Sequence, residues 1–187
     1  MSWSVSSKTS LLLLILIVAS LGYASAKRTD PCGGALPDSL RKAITVQYPD
    51  RKIVTLDMLT VIAEKIYLKD HKTGCPGVAR VDFYGDRSEM YALVLTKEVK
   101  DTYISSLILG QRQRNREWRF SVIEPDVQDA PPVVFTLPPG EFVGTTSQQE
   151  QRTLASKHEA IVFVGYESWS IVYVWTGDKV EKLWLSD

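Results

Sequence analysis

Asparagine is almost missing from this chain. Asn115 is the sole copy, and because Arg116 and Glu117 follow it there is no N-glycosylation sequon. The two histidines, His71 and His158, stand far apart, and neither cysteine has a second Cys at C-x-x-C-type spacing, which removes the usual zinc motifs. There is no G-x-S-x-G elbow, no phosphate-cradling glycine loop and no H-E-x-x-H helix, so no catalytic or cofactor motif is expected. An excess of one charge is lacking too, with 22 basic against 22 acidic side chains. A one-sided basic field drives nucleic-acid binding and adsorption to anionic membranes, so neither partner is expected.

Long apolar runs are equally scarce. The longest unbroken stretch, residues 11–18, is far shorter than the roughly 20 residues that span a bilayer. It follows Lys8 and leads through small residues to Ala24, Ser25 and Ala26, the basic, apolar and small order of a secretory signal peptide. Residues 1–26 are therefore read as a leader cleaved before Lys27, with an uncleaved anchor as the alternative and no stable membrane insertion after cleavage. The leader takes one base, Lys8, and no acid, which puts residues 27–187 near a net charge of −1. This remainder is read as one domain, long enough to bury a core. In an exported, periplasmic or secreted protein, an even cysteine count predicts one disulfide, Cys32 with Cys75.

Two helices are expected early. Leu36, Leu40, Ala43, Ile44 and Tyr48 recur at helical spacing, with Pro37 suited to the first turn and Pro49 ending the run, and Leu59, Ile62, Ala63 and Ile66 form a second stripe behind Asp57 as N-cap. Beyond Pro76 the chain turns to short Val, Ile, Tyr, Trp and Phe runs, predicting strands at 78–84, 90–96, 103–109, 117–123, 160–166, 169–176 and 179–185. The proline-rich 130–140 and polar 145–152 stretches interrupt the pattern, with room for one more strand near 151–155. With Gly177 and Asp178 as a two-residue loop, Trp175 faces Val180, Tyr173 faces Lys182 and Ile171 faces Trp184. The strand 169–175 is apolar on both faces, so it should be central and covered on both sides, in part by the helices. The predicted fold class is α+β, with two N-terminal helices packed on an antiparallel, largely meander sheet of about seven strands.

From Val81 to Leu95 the chain resembles the calcium-loop hairpins of secreted bacterial FG-GAP and VCBS-type repeat proteins. Asp82 and Asp86 match loop positions one and five, while Tyr84 and Met90 occupy positions three and nine, where those families place oxygen ligands. The resemblance implies a hairpin. Asp82, Asp86 and Glu89 fall short of the six or more oxygens a hard cation takes, so no metal is expected there. More widely, Cys75-Pro76-Gly77 with the aromatic stretches around Phe163 to Trp169 and Glu181 to Asp187 resembles a group of small uncharacterised secreted bacterial proteins.

Two surfaces remain as candidates for partner binding. One is an arginine-bearing hairpin tip with Arg112, Arg114 and Arg116, suited to an acidic partner or anionic glycan. The other is the turn at Tyr166, Glu167 and Trp169, whose bland alternative is a polar turn between core strands. The function expected is an exported, non-enzymatic binding or accessory protein of inhibitor type, recognising another envelope or secreted protein or a glycan. The alternatives are a cell-wall or polysaccharide hydrolase working through scattered carboxylates, and a structural envelope protein.

Overall fold

The computed structural model describes residues 31–71, 74–100 and 102–185. The leader read at residues 1–26 lies outside them. Two helices, α1 (Asp38–Gln47) and α2 (Val61–His71), precede most of eleven strands: β1 (Lys52–Ile53), β2 (Val78–Arg80), β3 (Met90–Val99), β4 (Thr102–Arg112), β5 (Trp118–Asp129), β6 (Val133–Leu137), β7 (Gly140–Thr145), β8 (Gln151–Ser156), β9 (Ala160–Gly165), β10 (Trp169–Trp175) and β11 (Val180–Trp184). Every pairing is antiparallel.

The strands form two sheets, which corrects the expectation of two helices on a single sheet of about seven strands. The first has five strands, with β3, β4 and β5 in a meander and both β1 and β2 along the free edge of β3; the second has six, in the order β6-β9-β10-β11-β7-β8. Side-chain alternation explains how they stack. Met90, Ala92 and Val94 on β3 face Ile161 and Phe163 on β9 and Ile171 and Tyr173 on β10 in one core between the sheets. The opposite side chains, Tyr91, Leu93 and Leu95, meet Leu40 and Ile44 of α1. Val172, Val174 and Val162 face the other way and pack with Tyr67 of α2, Leu56 and Leu154. The layers therefore run α1, sheet, sheet, α2. Strand β10 is covered on both faces, but by a sheet and one helix.

The hairpin of β10 and β11 carries the register expected, Trp175↔Val180, Tyr173↔Lys182 and Ile171↔Trp184. Strands β6 and β7 arise inside 130–145, where the prolines alone suggest irregular chain. Pro131 and Pro132 stop short of β6, and Pro138 and Pro139 separate it from β7, so the prolines punctuate strands rather than prevent them. Helix α2 starts later than expected. Residues Leu56–Met58 form a 3-10 turn, and Thr60 is the cap, its Oγ1 accepting the Ala63 N–H at 3.1 Å. The buried face of α2 is Ala63 and Tyr67, leaving Ile62 of the expected stripe exposed. The Cys32–Cys75 disulfide is formed, and ties the turn at Pro31–Gly34 to the entry of β2. No described helix is long and apolar enough to cross a membrane.

Candidate functional site: the loop and hairpin end of the sandwich

Strand β2 ends at Arg80 rather than continuing to residue 84. Val81 and Phe83 drop into the inter-sheet core, and Asp82 between them points outward. The chain then turns back through Gly85 and Arg87, both in the left-handed region (φ 71° and 58°), before Met90 opens β3. The His158 ring lies against Gly85 where a Cβ would sit, so only glycine fits. Carboxylates fasten the turn: Asp82 Oδ1 accepts the Arg87 N–H at 3.2 Å, and Asp86 Oδ1 accepts the Ser88 N–H at 2.9 Å. Hydrogen bonds from Ser88, first of all, hold Asp86 below its ordinary carboxylate range. Glu89 turns elsewhere, onto Arg112 at 2.8 Å. The three acids thus take three separate sets of partners, and among the described residues no group of three or more His, Cys, Asp or Glu gathers.

The arginine tip closes the β4–β5 hairpin as expected. Gln113 donates to the Glu117 carbonyl at 2.8 Å, Arg116 takes a left-handed φ of 69°, and Asn115 braces Glu117. Arg114 and Arg116 are exposed, whereas Arg112 lies 5.9 Å from the centre of the Trp118 ring while paired to Glu89. This hairpin and the 81–89 loop, which sequence treats as separate features, are one assembly. Gln111 Nε2 bonds both Asp86 Oδ2 (3.1 Å) and Ser88 Oγ (3.0 Å), and Arg112 N–H reaches the Glu89 carbonyl at 2.9 Å.

Beside that assembly opens a cleft of about 330 Å³ lined by Arg80, Val81, Asp82, Arg87, Ser88 and Glu159. Glu159 comes from the turn before β9, and its Oε2 accepts the Asp82 N–H at 2.7 Å, joining the rims of the two sheets. Sequence reasoning missed Arg80, Arg87, Gln111 and Glu159. The pairing of Glu159 with Asp82 spans 77 positions and has no local signal.

The turn with Tyr166, Glu167 and Trp169 sits elsewhere. Ser168 Oγ (3.0 Å) and Trp169 Nε1 (3.2 Å) both donate to Asp129 Oδ2 at the far end of β5, and Thr60 Oγ1 donates to Glu167 Oε1 at 2.5 Å. Since β5 begins beside the arginine tip and ends here, its length, roughly 35 Å at strand rise, separates the two candidate surfaces. They do not form one face. Trp169 is a half-buried member of the core margin, its ring centre 4.9 Å from Phe163 and 6.4 Å from Trp184. A smaller cleft of about 120 Å³ runs beside Thr60, Ala63, Pro131 and Tyr166. Among the described residues the Tyr166 hydroxyl is buried without a hydrogen-bond partner, and burial, then Asp70, pushes its pKa up to about 12.

Two further polar groups brace the fold. Tyr173 Oη donates to Glu124 Oε2 at 2.6 Å, and Lys182 meets the same carboxylate at 2.9 Å, linking β5 to β10 and β11 across the sheets. Burial, followed by Glu124, raises the Tyr173 pKa strongly. Arg51 holds Ser106 Oγ and Asp126 Oδ1, each at 2.7 Å, where β5 bulges against β4. No family model, curated protein or solved structure matches this chain.

Proposed function

We propose that this chain is an exported, non-enzymatic binding protein that meets its partner, an envelope or secreted protein or a glycan, through the end built from the 81–89 loop and the β4–β5 hairpin. The observation that carries this reading is the cross-bracing of the two segments. Gln111 and Arg112 lock the loop to the hairpin, so Arg114, Arg116 and the adjoining cleft are presented on a prearranged support rather than on loose chain. Export is supported by the leader-like N-terminus and by the Cys32–Cys75 disulfide, which suits an oxidising compartment.

The test is capture of a partner by purified residues 27–187 with two charge variants. Arg114→Glu should slow association and change its salt dependence, because rim charges steer encounter. Glu167→Gln, at the opposite end, should bind as the parent does. Loss of capture by Glu167→Gln with no effect of Arg114→Glu would place the interface at the wrong end and overturn the reading. One observation favours the hydrolase alternative: Asp82 and Glu159 share a cleft, and glycoside hydrolysis needs two carboxylates. Turnover of a polysaccharide, abolished by Glu159→Gln in a folded protein, would replace binding with catalysis.

A further inference from the structure

We propose that the cleft between the 81–89 loop and the start of β9 is a binding site for a neutral saccharide. This rests on reading the chain as a binding protein and names the ligand class of that same end. At about 330 Å³ it is far larger than the cleft beside Tyr166 or the roughly 100 Å³ hollow at Asp50, Lys52 and Tyr103. It falls at the low end of the range of ligand pockets, roughly 300 to 1,000 Å³.

Its lining is unusual in holding opposite charges that do not pair. Arg80 and Arg87 carry two positive charges, Asp82 and Glu159 two negative ones, and no ion pair among the described residues joins any of them. Each carboxylate uses one oxygen on a backbone N–H, Asp82 Oδ1 on Arg87 and Glu159 Oε2 on Asp82. Asp82 Oδ2 and Glu159 Oε1 stay open as acceptors, the two guanidinium forks as donors, and Ser88 lies among them. The four charges cancel, so an ion of either sign gains little net attraction. The signs also alternate along the chain, Arg80, Asp82, Arg87, with Glu159 tied to Asp82. A zwitterion wants its two signs on separate walls. A sugar hydroxyl both donates and accepts, and a vicinal pair of hydroxyls can give its hydrogens to a carboxylate while accepting from a guanidinium fork.

The lining itself holds no aromatic ring. Tyr84 and Trp175 belong instead to the margin of the inter-sheet core. The Trp175 ring meets Tyr84, two residues beyond Asp82, edge-on with centres 5.0 Å apart, and both are half-buried. A pyranose here is held through its hydroxyls, by the carboxylates and guanidinium groups, rather than by ring stacking.

The experiment is an amide NMR titration of isotope-labelled residues 27–187 with glucose, galactose, mannose and N-acetylglucosamine, beside glycine and acetate as zwitterionic and anionic controls. At least one sugar should give saturable shifts centred on residues 80–88 and 157–160, and neither control should. Glu159→Gln keeps an acceptor for the Asp82 N–H and Arg80→Met alters an exposed edge, so both variants should fold. Each should weaken the sugar about tenfold or more, the scale of one lost hydrogen bond to a charged group. Shifts from glycine or acetate equal to those from sugars would overturn the ligand class. No shifts from any of the four sugars would overturn the site, while capture of a partner sensitive to Arg114→Glu would leave the broader reading standing.

Discussion

Removing the indole of Trp169 opens a gap between Phe163 and Trp184 and takes from Asp129 one of its two side-chain donors. Trp169→Ala should therefore cost about 3 kcal/mol of folding stability, the lower part of the range for large aromatic truncations, since the ring is only half-buried. A thermal melt checks it, and an unchanged melt would return Trp169 to the list of surface anchors. Tyr166 should behave in the opposite sense. Its hydroxyl is buried without a partner among the described residues, so Tyr166→Phe should stabilise by about 1 kcal/mol, the cost of a desolvated group relieved. His71 gives a pH signature. Its ring lies 4.9 Å from that of Tyr67 and 4.7 Å from that of Phe135, and burial lowers its pKa from 6.5 against the opposing pull of Asp70. The unfolded chain then binds the extra proton first, so stability from His71 is complete above its ordinary pKa and is lost as pH falls from there through the folded value. Melting temperature should drop between about pH 7 and pH 5 in the parent and less in His71→Asn.

The elements differ in how plainly sequence announces them. Strand β10 and its hairpin partner are legible because a period of two forces one register: slipping by one residue would turn Tyr173 and Val172 to the wrong cores. Strands β6 and β7 are not legible in the same way, since each is short and flanked by proline or glycine that reads as loop. The N-cap of α2 is ambiguous in sequence because Asp57 and Thr60 are both good caps, and Asp57 is instead bonded by the Thr55 hydroxyl at 2.5 Å. Thr60→Ala should cost about 1 kcal/mol through the lost cap, with a further small loss from Glu167, and a Thr60→Ser variant should restore most of it. The disulfide belongs to this scale too, as it pins one turn to the entry of β2. Replacing both cysteines with serine should cost roughly 2 to 5 kcal/mol, measured by denaturant unfolding.

At the scale of the whole molecule, apolar residues on both faces of β10 announce a covered strand without saying what covers it. A helix and a second sheet satisfy the same pattern, and this chain uses one of each. The candidate site divides along the same line. Local sequence exposed the arginine tip and the acidic loop, but their union through Gln111 and Arg112, and the arrival of Glu159, depend on pairings across 23 and 77 positions. The long axis of β5 then sets two polar ends apart, and binding is proposed at the end that carries Arg114. Site-specific photo-crosslinking in the native cell compares them directly, with a photoreactive side chain at position 114 or at position 167. The account predicts a defined, saturable adduct from position 114 and none from position 167; an adduct from position 167 alone, or from neither, would contradict it.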